Sequence, residues 1–276
     1  MPAGPPLPGP PLPEEEEGER QPSVLHFYSS DSRAATVTLN RPPLNILDIP
    51  TIAQLGLVIE ELARDPGLLV IVIRGAGDRA FSAGVAVQDH TPDKVVPMLD
   101  SLHGTIRRLR DLETVTVAAV QGHCLGGGME LALSCDLVIA TEDSRFTQPE
   151  IELGCYPPVA SALLPSRIGA GLTLDLALTG RTLTCEEAER LGLVTRRVPS
   201  GKLDEAVQEL VAQISAKSAP VVRLAKKAVR AGRDLPFHKA LAETERIYKE
   251  ELLPLEDLAE GAAAFLEKRR PVWRNR

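Results

Sequence analysis

The chain has 276 residues, 43% of them hydrophobic, and a formal net charge of −7 at pH 7. That is apolar material for one substantial core with room for an appendage, and the acidic balance argues against nucleic acid as a partner. No stretch is apolar enough to span a bilayer and the start lacks the basic and apolar regions of a secretion signal, so a soluble, cytoplasmic protein without membrane association is expected.

Residues 1–22 are rich in proline, then acidic, and read as a disordered tail with little to bury. Residues 24–28 and 35–39 alternate well enough to form a strand pair across the turn 29–33. Arg41-Pro-Pro-Leu-Asn45 then breaks the pattern as a loop, since neither proline can donate to a ladder. Ile52, Leu55, Val58, Ile59 and Leu62 share one face of a helix over 49–63, and the apolar run 68–73 is a strand of the kind covered on both faces. Together they suggest a βαβ unit.

Gly75-Ala-Gly-Asp-Arg-Ala80 imitates a dinucleotide fingerprint, but the residues that follow do not open a helix, so a nicotinamide site is not supported. Residues 81–88 read instead as an exposed backbone turn. Residues 92–112 are mostly helical, and 115–120 form the next buried strand.

That strand runs into Gln121-Gly-His-Cys-Leu-Gly-Gly-Gly-Met-Glu130, which reads as strand, glycine turn and buried helix. Gly126, Gly127 and Gly128 let backbone approach a ligand and expose N–H groups at a helix start, where the macrodipole is positive. Glu130 places a carboxylate there among apolar neighbours. It is either a cap for its own helix or a functional acid. Two buried strands that each end in a glycine loop put both loops at the carboxyl edge of a sheet, where open α/β folds bind ligands.

After a short strand at 137–140, Phe146-Thr-Gln-Pro-Glu-Ile-Glu-Leu-Gly-Cys155 brings two more carboxylates. In an extended segment Glu150 and Glu152 face the same way, so spacing cannot choose between them. A helix over 159–168, a short helix over 184–191 and a last strand over 193–198 follow. From 203 the chain is helical throughout, at 203–215, 219–231, 237–252 and 255–268. Such a lobe commonly covers its apolar faces with another subunit. The basic end at Lys268, Arg269 and Arg270 otherwise suits a helix C-terminus.

Other chemistries find little support. The four cysteines, Cys124, Cys135, Cys155 and Cys185, form no CxxC pair, so structural metal and disulfides are not expected, and Cys124 reads as small buried filler. The five histidines show no metal spacing, although His90 and His103 could face a substrate, and there is no GxSxG elbow.

The order and spacing of Phe81-Ser-Ala-Gly-Val85, Gly122-His-Cys-Leu-Gly-Gly-Gly-Met-Glu130 and Gln148-Pro-Glu-Ile-Glu-Leu-Gly154 resemble the crotonase (enoyl-CoA hydratase/isomerase) superfamily from about residue 24 to the end. The resemblance implies an α/β fold, a crotonase-type spiral of ββα turns over 23–215, with a C-terminal helical oligomerisation lobe over 216–276. It also implies an acyl-CoA substrate, no metal or separate cofactor, and assembly as a homotrimer or homohexamer. Carried over by position, the N–H groups of Val85 and Gly127 match the oxyanion hole, and Glu130 and Glu150 match the two catalytic glutamates, which decides against Glu152. Pro43, Leu44, Ala83, Ala86, Val87 and Gln88 match segments that line the CoA and thioester pocket, with Gly126 in the glycine turn. Lys268, within the run 265–270, matches an element that reaches a neighbouring subunit's CoA.

The chain departs from the family where Leu153-Gly-Cys-Tyr-Pro-Pro-Val-Ala-Ser161 replaces a glycine-rich segment, so that Tyr156 and Pro158 reshape the acyl wall. With residues 84–94, these departures look most like a branch that hydrates a conjugated cyclic dienoyl-CoA, such as cyclohexa-1,5-diene-1-carbonyl-CoA. Straight-chain hydration, double-bond isomerisation and a non-catalytic binding role are the competing expectations.

Overall fold

The computed structural model describes residues 22–233 and 235–276, and the expected N-terminal tail lies outside them except for Pro22. A six-stranded sheet has the order β1 (Val24–Ser29), β2 (Ala34–Leu39), β3 (Val70–Gly75), β5 (Val115–Val120), β7 (Leu137–Thr141) and β10 (Arg196–Val198). β1 runs antiparallel to β2, and every other pairing in this sheet is parallel. A second sheet joins β4 (Ala80–Ser82), β6 (His123–Leu125), β8 (Arg145–Thr147) and the two-residue β9 (Leu183–Thr184). In it β4, β6 and β8 are parallel and β9 is antiparallel.

The spiral follows from that pairing. Each turn sends one long strand to the large sheet and a three-residue strand to the small one, then a helix: β3, β4 and α2 (Val95–Asp111), next β5, β6 and α3 (Gly127–Ser134), next β7, β8 and α4 (Pro158–Ile168). The short strands are too brief to show a period in sequence, and none was expected there. The run 75–80 that imitates a dinucleotide fingerprint links β3 to β4 and opens no helix, as expected from the residues after it.

Alternation along the parallel strands supplies two cores. Ile71, Ile73, Ala118 and Val120 turn toward α1 (Ile49–Ala63), α2 and α3, where Ile52, Leu55, Ile59, Leu102, Ile106 and Leu133 are buried. Val70, Val72, Val117 and Ala119 turn the other way, onto Leu203, Val207, Leu210 and Val211 of α7 (Leu203–Ser215). All eight residues of α3 are buried, so this helix sits in the middle of the molecule.

The remaining elements are α5 (Ala170–Thr179), which was not anticipated, α6 (Cys185–Arg190), α8 (Ala219–Gly232), α9 (Phe237–Ile247) and α10 (Glu256–Leu266). The helix expected over 237–252 is α9 followed by a π-helical turn, Tyr248–Leu252. Beyond α10 the chain folds back on its own protomer: the Asp257 carboxylate, almost fully buried, accepts from the N–H groups of Arg274 (2.7 Å) and Asn275 (2.9 Å). Among the described residues no helix is long and apolar enough to cross a membrane.

Candidate active site

Because β4, β6 and β8 are parallel neighbours, their carboxyl ends lie side by side, and the three motifs emerge there together. Residues 83–86 follow β4, Gly126 follows β6, and Gln148 to Glu150 follow β8. Gly126 N–H donates to the Thr147 carbonyl at 2.9 Å, which ties the second turn to the third. Two chain segments far apart in sequence are thus set at van der Waals distance. A Cβ added to Gly84 would lie 3.5 Å from the Gly127 nitrogen, and one added to Gly127 would lie 3.6 Å from the Val85 nitrogen and 2.7 Å from Val85 Cγ2.

Among the described residues the two N–H groups at this junction have no acceptor. Leu47 makes a parallel bridge to Val85, in which Leu47 N–H donates to the Gly84 carbonyl (2.9 Å) and Ala86 N–H to the Leu47 carbonyl (3.1 Å). That pattern uses the groups on either side and leaves the Val85 N–H pointing away, with no acceptor among the described residues. Gly127 is the first residue of α3, where no intrahelical acceptor exists for its N–H. Gly126, the cap residue, takes φ +50 and ψ −128, a conformation a side chain would strain.

Glu130 is 3% exposed, in the second half of the first turn of α3. It does not cap its own helix. Its Oε1 accepts from the Ala160 N–H at 2.9 Å, at the start of α4, so the carboxylate faces a second helix N-terminus. Burial raises its pKa, opposed by the backbone N–H groups of Ala160 and Val159. Glu150 lies on a one-turn 3-10 helix, Pro149–Leu153, rather than in an extended segment. That turn separates the two candidates: Glu150 is 8% exposed and Glu152 points to solvent. Burial, with the nearby Glu130 charge adding to it, pushes Glu150 up to about 7, opposed by its own backbone N–H. The Gln148 amide, turned to satisfy its neighbours, places its nitrogen 3.0 Å from Oε2 and 3.1 Å from Oε1 of Glu150. A Cβ on Gly126 would lie 2.8 Å from Glu150 Oε1, so a side chain there would displace this carboxylate from its place.

Both carboxylates line a cavity of about 250 Å³ together with Val85, Gly126 and Gly127. Of the other expected residues, Ala83, Val87, Tyr156 and Pro158 line it as well. Five do not. Pro43 and Leu44 line a separate groove because their loop turns its outer side to solvent. Ala86 spends its N–H on Leu47, and Gln88 lies exposed on the far side of the 3-10 turn Val87–His90. Lys268 is exposed beyond the end of α10, with φ +56, and does not reach the cavity of its own chain.

The wall the sequence reading missed is the α2 face of Val95, Met98, Leu99 and Leu102. Its apolar spacing was visible but is the same for core and for a ligand wall. His90, for which an ordinary polar or packing role was the favoured expectation, lines the cavity, with Nδ1 3.1 Å from the Ala86 carbonyl. His103 does not, and its buried Nε2 has no hydrogen-bond partner among the described residues. Cys155 lines the rim and donates to the Glu150 carbonyl (3.4 Å), while Cys124 is buried filler whose thiol burial holds well above its usual range. Two free amides and two carboxylates with no cation beside them, on an apolar cavity, can bind a developing oxyanion and move protons next to it.

Comparison with known proteins agrees. The Enoyl-CoA hydratase/isomerase family matches residues 30–276. A cyclohexa-1,5-dienecarbonyl-CoA hydratase from Thauera aromatica is 37% identical, over 91% of this chain and 96% of that protein. A short-chain-enoyl-CoA hydratase from Clostridium acetobutylicum is 33% identical, over 88% and 95%. The crystal structure of an enoyl-CoA hydratase from Mycobacterium smegmatis superposes with a TM-score of 0.86 at 27% identity, covering 92% of this chain and 99% of that one. The chain therefore belongs to the enoyl-CoA hydratase/isomerase family, the crotonase superfamily, as a hydratase-type carbon–oxygen lyase acting on an acyl-CoA.

Proposed function

We propose that Val85 and Gly127 hold the thioester oxygen of a conjugated enoyl-CoA while Glu130 and Glu150 add water across its double bond. The observation that carries this is the meeting of two unpaired amides with two cation-free carboxylates on one apolar cavity. Adding water to a conjugated thioester moves negative charge onto the thioester oxygen, so fixed donors there act where charge develops. Losing one such donor typically raises the barrier by about 3 to 4 kcal/mol.

The surroundings suggest different jobs for the two acids. Burial raises Glu130 as well, but backbone N–H groups at a helix start oppose that rise and favour its carboxylate, which suits it to accept a proton from water as the water oxygen bonds to the β-carbon. Glu150, pushed up to about 7, carries a proton through much of the neutral range and delivers it to the α-carbon. One proton leaves Glu150 and one arrives at Glu130. Exchange with solvent then restores the pair.

For the acyl group we propose a cyclic dienoyl, such as cyclohexa-1,5-diene-1-carbonyl. Pro158 and Tyr156 in the acyl wall support it, as does the likeness to the Thauera aromatica protein. Rates with that thioester and with crotonyl-CoA test it, and a clear preference for crotonyl-CoA would leave a straight-chain hydratase. We further propose a homotrimer or homohexamer, built through a lobe over 216–276, that brings Lys268 to a partner subunit's CoA. Analytical ultracentrifugation gives the state, and a monomer that is fully active would refute it.

A further inference from the structure

The groups that aim the Val85 N–H lie outside the cavity, and they converge on Asn45. This residue is 0% exposed and adopts φ +50, a left-handed conformation uncommon outside glycine that asparagine tolerates better than most residues. Its Nδ2 donates to the carbonyls of Ala76 (2.9 Å) and Ala80 (2.8 Å), its Oδ1 accepts from Arg41 N–H (3.1 Å), and its own N–H donates to the Arg41 carbonyl (2.7 Å). Its carbonyl accepts the Ser82 hydroxyl at 2.8 Å, and the same Ser82 oxygen accepts the Gly84 N–H at 3.1 Å. Ser82 is itself 0% exposed and packed against Gly128, where an added Cβ would lie 2.7 Å from Ser82 Cβ.

A relay therefore runs from the Asn45 backbone through one hydroxyl to the residue before Val85. It is reinforced on both sides, because Ala83 N–H donates to the Leu44 carbonyl (2.8 Å) and Ala86 N–H to that of Leu47 (3.1 Å). The N–H groups of Ala83, Gly84 and Ala86 are all committed to this scaffold. The N–H of Val85 is the exception. A strained, fully bonded asparagine is the kind of outlier from which a functional hypothesis starts.

We propose that Asn45 and Ser82 are positioning residues for the Val85 N–H, fixing its direction toward the thioester oxygen without touching the substrate. The proposal rests on the reading of that N–H as an oxyanion donor. A donor that is present but misaimed loses most of its effect on the transition state, while binding of the rest of the acyl-CoA changes little.

The test uses the full chain, its Ser82→Ala variant, and Asn45→Gly, in which glycine keeps the backbone conformation and deletes the amide. A cinnamoyl-type enoyl-CoA carrying ¹³C at the thioester carbonyl is the probe, and infrared difference spectroscopy reads the carbonyl stretch of the bound form. For the wild type we expect a shift to lower frequency than in free thioester. If it is absent, the oxyanion reading fails and the proposal with it. If it is present, Ser82→Ala should lose at least about half of it and about tenfold or more in kcat, with KM within about threefold. A variant with the wild-type shift and kcat, or one in which KM alone moves, overturns the proposal. Should Asn45→Gly fail to fold, Ser82→Ala decides alone, since it removes a single oxygen from the same relay.

Discussion

Glu130 lies in the first turn of the buried helix α3 and Asp136 just beyond its C-cap, and they show two uses of a carboxylate wholly or partly taken out of water. Asp136 is fully compensated. Its Oδ2 lies 2.6 Å from Lys226 Nζ and accepts from the Thr116 N–H (2.8 Å) and hydroxyl (2.9 Å), and its Oδ1 accepts from Arg230 at 2.8 Å. Glu130 has one backbone N–H at hydrogen-bond distance and, among the described residues, no Lys or Arg within reach. The sheet edge that carries Glu150 likewise offers an amide and no cation. Paired with cations, the partly buried Asp136 joins β5, β7 and α8. Left without them, Glu130 is free to take and give protons.

The largest break in that comparison comes from removing the uncompensated acids. Glu130→Gln and Glu150→Gln should each lower kcat for hydration by about 10³-fold or more while the fold is retained, as followed by loss of enoyl thioester absorbance and by circular dichroism. If one change costs almost nothing, water is not held between two acids. Asp136→Asn should do the reverse. It takes the counter-charge from Lys226, whose side chain is 7% exposed and, among the described residues, keeps only the Thr114 carbonyl at 2.6 Å, and should cost about 3 kcal/mol of stability in denaturant titrations with far less effect on kcat.

A third test separates the two regions by pH. Glu150 has its folded pKa at about 7 against an ordinary value of 4.5, so between those values the folded protein holds a proton that the unfolded chain releases. Stability contributed by this group is therefore intact below about 4.5, falls as pH rises, and is lost above about 7, by about 3 kcal/mol in all. Glu150→Gln abolishes the term, so the variant should gain on the wild type across that interval, and parallel denaturation curves would contradict the assigned burial. The smallest effect is expected at Glu152, which is exposed on the same turn: Glu152→Gln should leave kcat within about twofold.

Much of this was legible because long elements carry their own period. The helix over residues 49–63 and the one over 203–215 are found with those limits, since apolar faces and flanking turns mark them. The turn from Gly122 to Glu130 was legible for a different reason, since glycines and an isolated carboxylate in an apolar context are rare together, whereas the other two motifs needed the resemblance. The small sheet was not legible, because three residues cannot display alternation, and it is the element that brings the motifs together. The choice of Glu150 over Glu152 needed the resemblance, since only the 3-10 turn, invisible in spacing, turns one inward. The α2 wall escaped notice because a helix buries core and ligand-facing positions with the same pattern. Asn45 escaped because its importance lies in its hydrogen bonds to Ala76, Ala80 and Ser82, which the sequence does not place near it.

The pairing of β4, β6 and β8 has one more consequence. Each contributes only a few ladder bonds, a small part of what a spectrometer registers as secondary structure, yet the catalytic apparatus exists only while all three stay in register. Turnover is thus a more sensitive thermometer than ellipticity, and on slow heating this enzyme should fall silent while its larger sheet is still whole.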